Sequence, residues 1–503
     1  MLKVRLVLVA LLLAIAHASQ AQEILTYQVP PKAIVDLVDT RPTPSVDVSP
    51  VDKSGKRWLL IEPLSGLPSI TELAQPELRL AGLRFNPRTN GPSRGRYIMS
   101  LRLKLLPDGA ETNVSGMPAD AQIRFVAWAP DAGHISFVNA SNDASNAGLS
   151  LWIVDVSSGR AKQITGIALN GIFGAPCEWT SDSTSLVCKT LPKNRGQSPV
   201  RSDVPTGPVV QENLGRVTPG PTYQDLLKNP VDEKIFNYFA TSQVELIHLD
   251  GTVKALGKPG VVQTASPSPD SRYVLVDERH PPYSYLLPYP FFPERVTVID
   301  IASGGLRQIV DKPLADTIPN VHDAVEPGPR DFDWRSDVAA TLAYVEAGDE
   351  GDPRKEAAVR DTISLLSAPF GGKATKLVEL PVRFRSITWA NGRLALVEEE
   401  RWKDRKRIIL AVSPDKPGPS VQLFDGSFED RYHDPGTPFT AMNASGKQVL
   451  QTTQDGSGIY LRSRGASPEG DRPFVSVMNT TNDDRKKIWE STDKYYEFPS
   501  AVL

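Results

Sequence analysis

Apolar and polar residues alternate along most of this chain in short runs, and the runs come in pairs. A strand, a turn rich in Asp, Ser, Gly or Asn, and a strongly apolar second strand recur. The clearest copy is RFVAWAPDAGHISFVNA at 124–140. Others are CEWTSDSTSLVCKT from Cys177, ASPSPDSRYVLVDE from Ala265, DFDWRSDVAATLAYVEA from Asp331, SITWANGRLALVEEE from Ser386 and FTAMNASGKQVLQTTQ from Phe439. A looser first copy, VDVSPVDKSGKRWLLIE, starts at Val46, making seven hairpins. Each is followed by a second strand pair, as in LSLWIVDVSSGRAKQIT and VTVIDIASGGLRQIV, with apolar alternation around Ser-Gly, Asp-Gly or Gly-Gly turns.

Four short antiparallel strands, repeated about seven times, predict an all-β fold: a β-propeller of about seven four-stranded blades, possibly eight in the intact protein. One blade cannot bury both faces alone, so neighbours stack in a ring and leave only short edges. A set of β-sandwiches also has many short strands. The aromatic-x-x-Asp turn recurring at one place in the unit argues for the propeller.

Three insertions interrupt the repeat. Residues 63–94 carry LPSITELAQPELRLAGLRFNP, with a short helix capped by Ser69. Residues 192–243 are Pro-rich and then helical, through TYQDLL and PVDEKIFNYFA, with Pro230 at a first-turn position after Asn229. Residues 280–293 read HPPYSYLLPYPFFP, too aromatic for a solvated linker. Long structureless loops are rare in compact domains, so these segments are expected to cover or dock something.

Composition adds 44 prolines and 36 glycines, which favour turns over long helices. A net charge of −3 gives no basic field for nucleic acid and no case for a membrane surface. Lys3 and Arg5 precede an apolar run, 6–16, too short to span a bilayer. Small residues at Ala16 and Ala18, or Ser19 and Ala21, offer cleavage frames. Residues 1–21 therefore read as a secretory signal and 22–503 as the propeller, in the periplasm or outside the cell; an uncleaved anchor is the alternative.

The two cysteines, Cys177 and Cys188, lie in one hairpin. With its turn centred on Asp182-Ser183, Cys177 pairs with Cys188 and Trp179 with Leu186, which puts both thiols on one face within reach of a disulfide. Export permits oxidation; two reduced, buried thiols are the alternative.

Candidate chemistry is sparse. Gly91-Pro92-Ser93-Arg94-Gly95 matches G-x-S-x-G, but Pro92 abuts the serine and a strand follows it, where a nucleophile elbow needs a strand before and a helix after. Ser413 and Lys416 fit S-x-x-K only in a Pro turn. The acidic stretch 346–352 lacks the spacing of a calcium loop and reads as a solvated turn. No metal ligand set and no cofactor motif is present in the sequence.

Longer strings carry a resemblance. YQVPPKAIVDLVDTRPTPSV at 27–46, LPSITELAQPELRLAGLRFNP, GPVVQENLG, TYQDLLKNPVDEKIFNYFATSQ, PPYSYLLPYPFFPERV, GPRDFDWRSDVAATLAYVEAGDEGDP, RDTISLLSAPF, FEDRYHDPGTP and GASPEGDRPF span nearly the whole mature chain. The chain resembles the propeller part of the glutamyl endopeptidase branch of the prolyl oligopeptidase family of serine peptidases. The resemblance implies a secreted peptidase whose propeller covers a C-terminal α/β-hydrolase domain carrying Ser, Asp and His, with cleavage after Glu. This sequence stops at YYEFPSAVL, where the family continues into its peptidase domain, so no catalytic residue is carried over. Two functions remain open: the substrate-gating propeller portion of such a peptidase, inert alone and partnered by a hydrolase domain or chain and by peptide substrate, or a free-standing propeller acting as a binding scaffold. A preference for Glu calls for a cation. Arg330 and Arg335, at the two ends of GPRDFDWR, are the candidate substrate-binding residues, against structural ion pairs to Asp333 or Asp337.

Overall fold

Alternation every second residue, with β-branched residues on the inward side, produces strands throughout. The computed structural model describes residues 28–143, 147–200, 223–492, 494–495 and 497–503. The signal segment and the GPVVQENLG string lie outside the described residues.

The strands form successive antiparallel sheets in chain order. The first unit contains Ser45–Val48, Trp58–Glu62, Arg102–Leu105 and Glu111–Asn113; the second runs from Ile123–Trp128 to Arg160–Ile164. The third and fourth share one long strand, Val253–Pro267. Its first half closes the sheet begun by Cys177–Trp179, and its second half opens the sheet ending in Leu306–Lys312. The fifth spans Pro329–Trp334 to Thr375–Leu380, the sixth Arg383–Asn391 to Val421–Ser427, and the last ends in Arg485–Glu490.

Adjacent units stack through apolar clusters, which the twist of each sheet brings face to face. Leu60 and Leu103 meet Ile135 and Phe137 between units one and two, and Val138 and Leu151 meet Trp179 and Leu186 between two and three. Leu275 and Val298 meet Trp334 and Leu342 between four and five, and Val345 and Ile363 meet Trp389 and Val397 between five and six. The architecture is a β-propeller. Among the described residues, the first sheet uses only chain from 45 to 113 and the last only chain from 437 to 490, with no strand exchanged between them.

The recurring aromatic and Asp have physical reasons. The Trp179 indole N–H donates to Ala127 O of the preceding unit at 3.2 Å, and that of Trp334 to Ser266 O at 2.9 Å, so each Trp fastens its sheet to the one before. In the turn, Asp182 Oδ1 accepts from Thr184 N at 3.0 Å and Thr180 Oγ1 at 2.7 Å. Asp270 repeats this with Arg272 N and Ser268 Oγ, and Asp455 with Ser457 N and Thr453 Oγ1. The last repeat is therefore centred on Asp455. The expected copy at FTAMNASGKQVLQTTQ is a different hairpin, taken up below; its Asn-Ala-Ser-Gly turn imitates the repeat in sequence alone.

Every long connection emerges at the same end of the sheets, between second and third strands or between units. There the three insertions pack on one another. Leu80 and Phe85 from the first, Phe236 and Phe239 from the second, and Tyr283 and Phe292 from the third form one buried cluster. The helix Pro230–Ala240 starts at Asn229, whose side chain accepts from Val231 N and Asp232 N at 2.9 and 3.0 Å, and the helix Ile70–Leu73 starts in a capping box of Ser69 and Glu72. TYQDLL, expected to be helical, is not; Asp225 there has φ +59° and binds Arg84 at 2.5 Å.

Candidate functional site

At the insertion-bearing end, between the fourth and fifth units, a cavity of about 430 Å³ opens beside Gln263, Asp277, Arg279, Lys312, Arg330 and Asp331. The innermost strand of the fifth unit carries a bulge here: the register slips between Arg330 and Asp333, and Asp331 takes φ +54°. A non-glycine residue in that region is strained, and bulges re-aim side chains. The Arg330 side chain is turned inward and is 7% exposed.

Arg330 Nη2 donates to Asp361 at 2.8 Å and Nη1 lies 3.4 Å from Asp331, while Nε and Nη1 have no hydrogen-bond partner in the structure. Arg279 donates to Gln263 Oε1 at 2.9 Å and lies 3.4 Å from Asp277 and 3.5 Å from Glu294. Lys312 bonds Glu294, and Glu326 at 2.5 Å. Burial pushes the Asp277 carboxyl up to about 7 in spite of Arg279, with Glu294 adding to the rise, and Asp277 Oδ1 is also unpartnered. Burial likewise raises Asp331. The Lys312 ammonium is raised: burial opposes this, and Glu294 and Glu326 outweigh it. Chemically, the cavity is lined by two buried guanidiniums, Arg279 and Arg330, and by carboxyls whose neutral form burial favours.

Arg335 is not part of this cavity. It occupies the position that Thr180, Ser268 and Thr453 hold in other units, and its guanidinium grips the turn residue Asp337 at 2.8 and 2.9 Å where they use a hydroxyl. It also binds Asp415 of the sixth unit at 2.7 Å. Its carboxylate partners are the turn of its own sheet and that of the next.

Ser93 donates to Glu77 Oε2 at 2.6 Å. Ser413 donates to Arg393 O at 3.0 Å. A Ser–His contact that no motif marks does exist, Ser185 Oγ to His248 Nδ1 at 2.7 Å, but the two residues are register partners in adjacent strands and Ser185 is 3% exposed. A hydroxyl so enclosed cannot reach a peptide carbonyl. Cys177 and Cys188 are register partners, as are Trp179 and Leu186, and the two sulfurs are bonded. The acidic stretch is not a solvated turn: Asp349 is buried and held by Arg383 and Arg360. Among the described residues, no group of His, Cys, Asp and Glu is placed to hold a metal, and no helix is long and apolar enough to cross a membrane.

Sequence reading reached Arg330 but missed Asp277, Arg279, Glu294 and Lys312. Their signal was local: charged residues placed inside the otherwise apolar strands YVLVDER and ERVTVID.

Over 494 residues the chain is 38% identical to a protein of Oryza sativa subsp. japonica named probable glutamyl endopeptidase, chloroplastic. The match covers 95% of this chain and 52% of the rice protein. The chain is thus a relative of proteins named glutamyl endopeptidase. The similarly named protein of Arabidopsis thaliana is 35% identical, over 95% of this chain and 51% of its own length. This glutamyl endopeptidase relative thus spans about half the length of the curated proteins it matches. No family model matches it. Among solved structures, the β-propeller domain of the trilobed protease from Pyrococcus furiosus is 9% identical, with a TM-score of 0.41, covering 89% of this chain and 98% of that one. In this glutamyl endopeptidase relative, Arg279 and Arg330 are the buried guanidiniums at the cavity.

Proposed function

We propose that this chain is the substrate-gating propeller portion of an exported serine peptidase of the prolyl oligopeptidase family, acting with an α/β-hydrolase domain or chain and without turnover of its own. The observation that carries the reading is identity to proteins named glutamyl endopeptidase along nearly all of this chain but only half of theirs. The enclosure of Ser185 and the engagement of Ser93 by a carboxylate support the absence of turnover. The seven units are read as seven blades arranged in a ring. Such a ring would admit short or unfolded peptides and exclude water from chemistry at its face. Arg330 is read as the cation that meets an acidic side chain of the peptide, since a guanidinium pairs a carboxylate through charge-assisted hydrogen bonds.

The test uses a fluorogenic Glu peptide and a fluorophosphonate probe on the chain alone, then on the chain mixed with the half of the rice relative outside the match. The expected result is neither labelling nor turnover alone, and Glu-directed cleavage in the mixture that Arg330→Gln weakens for Glu but not for Gln peptides. Labelling of Ser93 or Ser185 with turnover overturns the inert reading. Cleavage by the added half that is indifferent to this chain overturns the gating role and leaves the free-standing scaffold.

A further inference from the structure

The innermost strand of the last unit is broken by an insertion. Pro438 opposes Leu461 and Thr452 opposes Ile459, so thirteen residues of one strand stand against a single residue, Tyr460, of its partner. The surplus leaves the sheet as a hairpin in which Thr440–Met442 pairs with Gln448–Leu450. Gln451 N donates to Phe439 O at 2.9 Å and closes its base, so the strand resumes as though nothing intervened.

The hairpin crosses the molecule. Its returning strand runs beside the innermost strand of the sixth unit. Asn443 Nδ2 donates to Ser336 O in the fifth unit at 2.9 Å. Lys447 forms an ion pair with Glu178 of the third unit and donates to Ser266 Oγ of the fourth at 3.3 Å. Gly446 abuts Pro130 of the second, and Met442 packs on the cluster shared by units one and two. A single short hairpin can meet the inner strands and turns of so many sheets only at their common axis. Pro130 and Ser336 both lie in the short turns, which places the tip at the end of the channel opposite the insertions.

We infer that hairpin 440–450 is a stopper seated in the propeller channel, closing axial passage at the short-turn end and leaving the insertion-bearing end as the way in. Its seat is built for it. Lys447 pairs with Glu178 and also acts on Asp333: burial raises the Asp333 carboxyl, Glu178 adds to the rise, and the Trp334 N–H and Lys447 draw it back down. Without the ammonium the two acids are left to repel each other. Gly446 has two reasons to be glycine: φ is +76°, and a Cβ would stand 2.6 Å from Pro130 Cγ. This reading does not depend on the peptidase assignment.

The experiment labels a cysteine at the tip in the full-length chain, where the native cysteines are paired. Ser445→Cys is treated with a polyethylene-glycol maleimide and compared with Lys373→Cys on an exposed loop. Seating predicts labelling at least about tenfold slower at 445 than at 373, and recovery of most of that difference when Lys447→Glu or Gly446→Val is added. Equal rates at 445 and 373 in the otherwise unaltered chain overturn the stopper. A variant lacking 440–451, with Phe439 joined to Thr452, keeps the strand register. It is expected to retain the β circular dichroism of the parent and to make Ser266→Cys label faster; an unchanged rate at 266 also overturns it.

Discussion

Arg383 Nη1 and Asp361 Oδ1 lie 2.9 Å apart across the join between the fifth and sixth units, with the carboxylate wholly shielded from water. Asp361 also accepts from Arg330 at 2.8 Å and from Phe384 N at 2.7 Å, and Arg383 passes the charge on to Asp349. One buried carboxylate thus neutralises two guanidiniums, one of which faces the candidate cavity. Asp361→Ala leaves Arg383 with Asp349 and Arg330 with only its longer contact to Asp331, and breaking a buried pair costs about 3–5 kcal/mol. Urea denaturation of the variant measures this. A loss comparable to that of a surface substitution would show that Asp349 and Asp331 suffice.

Glu399, on the second strand of the sixth unit, accepts from Val382 N at 2.9 Å and leaves its other oxygen unpartnered. Burial pushes its carboxyl up to about 7, and Asp361 adds to the rise. The folded state therefore holds the proton more tightly than the unfolded chain. Below about pH 4 both states are protonated; between about 4 and 7 only the folded one is, and stability falls as pH rises through that window. Glu399→Gln keeps an acceptor for Val382 N–H without the charge. It is expected to be near neutral at pH 5 and stabilising by about 1–3 kcal/mol at pH 8. Denaturation midpoints at the two pH values decide; an equal effect at both would mean that the carboxylate is ionised at no cost.

Cys177 and Cys188 close a loop of sequence separation 11. So short a loop restrains the unfolded chain only modestly, and reduction is expected to cost about 2–3 kcal/mol at most. Intact mass of exported protein before and after reduction, with denaturation midpoints in each state, tests both pairing and magnitude. Two free thiols in the unreduced sample would refute the pairing.

How much of this was legible beforehand varies from residue to residue. The register of Cys177 with Cys188 followed from one turn because strand side chains alternate strictly, and a hairpin is a local object. The caps at Ser69 and Asn229 were legible for the same reason. For Arg335 the sequence leaves two readings open, a substrate cation and an ion pair to Asp333 or Asp337, because GPRDFDWR reads as a strand with a cation at each end. Only alignment of the folded turns puts Arg335 in the place of Thr180, gripping its Asp. Asp349 looked like one acid of a solvated run, and its burial depends on Arg383, which arrives from another sheet.

The chain by itself determined the elements: paired strands with an Asp turn, two helix starts, a disulfide register and an aromatic clasp repeated along the sequence. These rest on forces reaching a few residues, namely alternation, capping and Asx turns. Tertiary structure alone decided which acids and bases were brought together at Arg330, that three separate insertions share one core, and that FTAMNASGKQVLQTTQ is a hairpin crossing to Glu178 rather than the last repeat. Each of these joins residues tens to hundreds of positions apart. Desolvation and ion pairing depend on what the whole fold places nearby, which no local window contains.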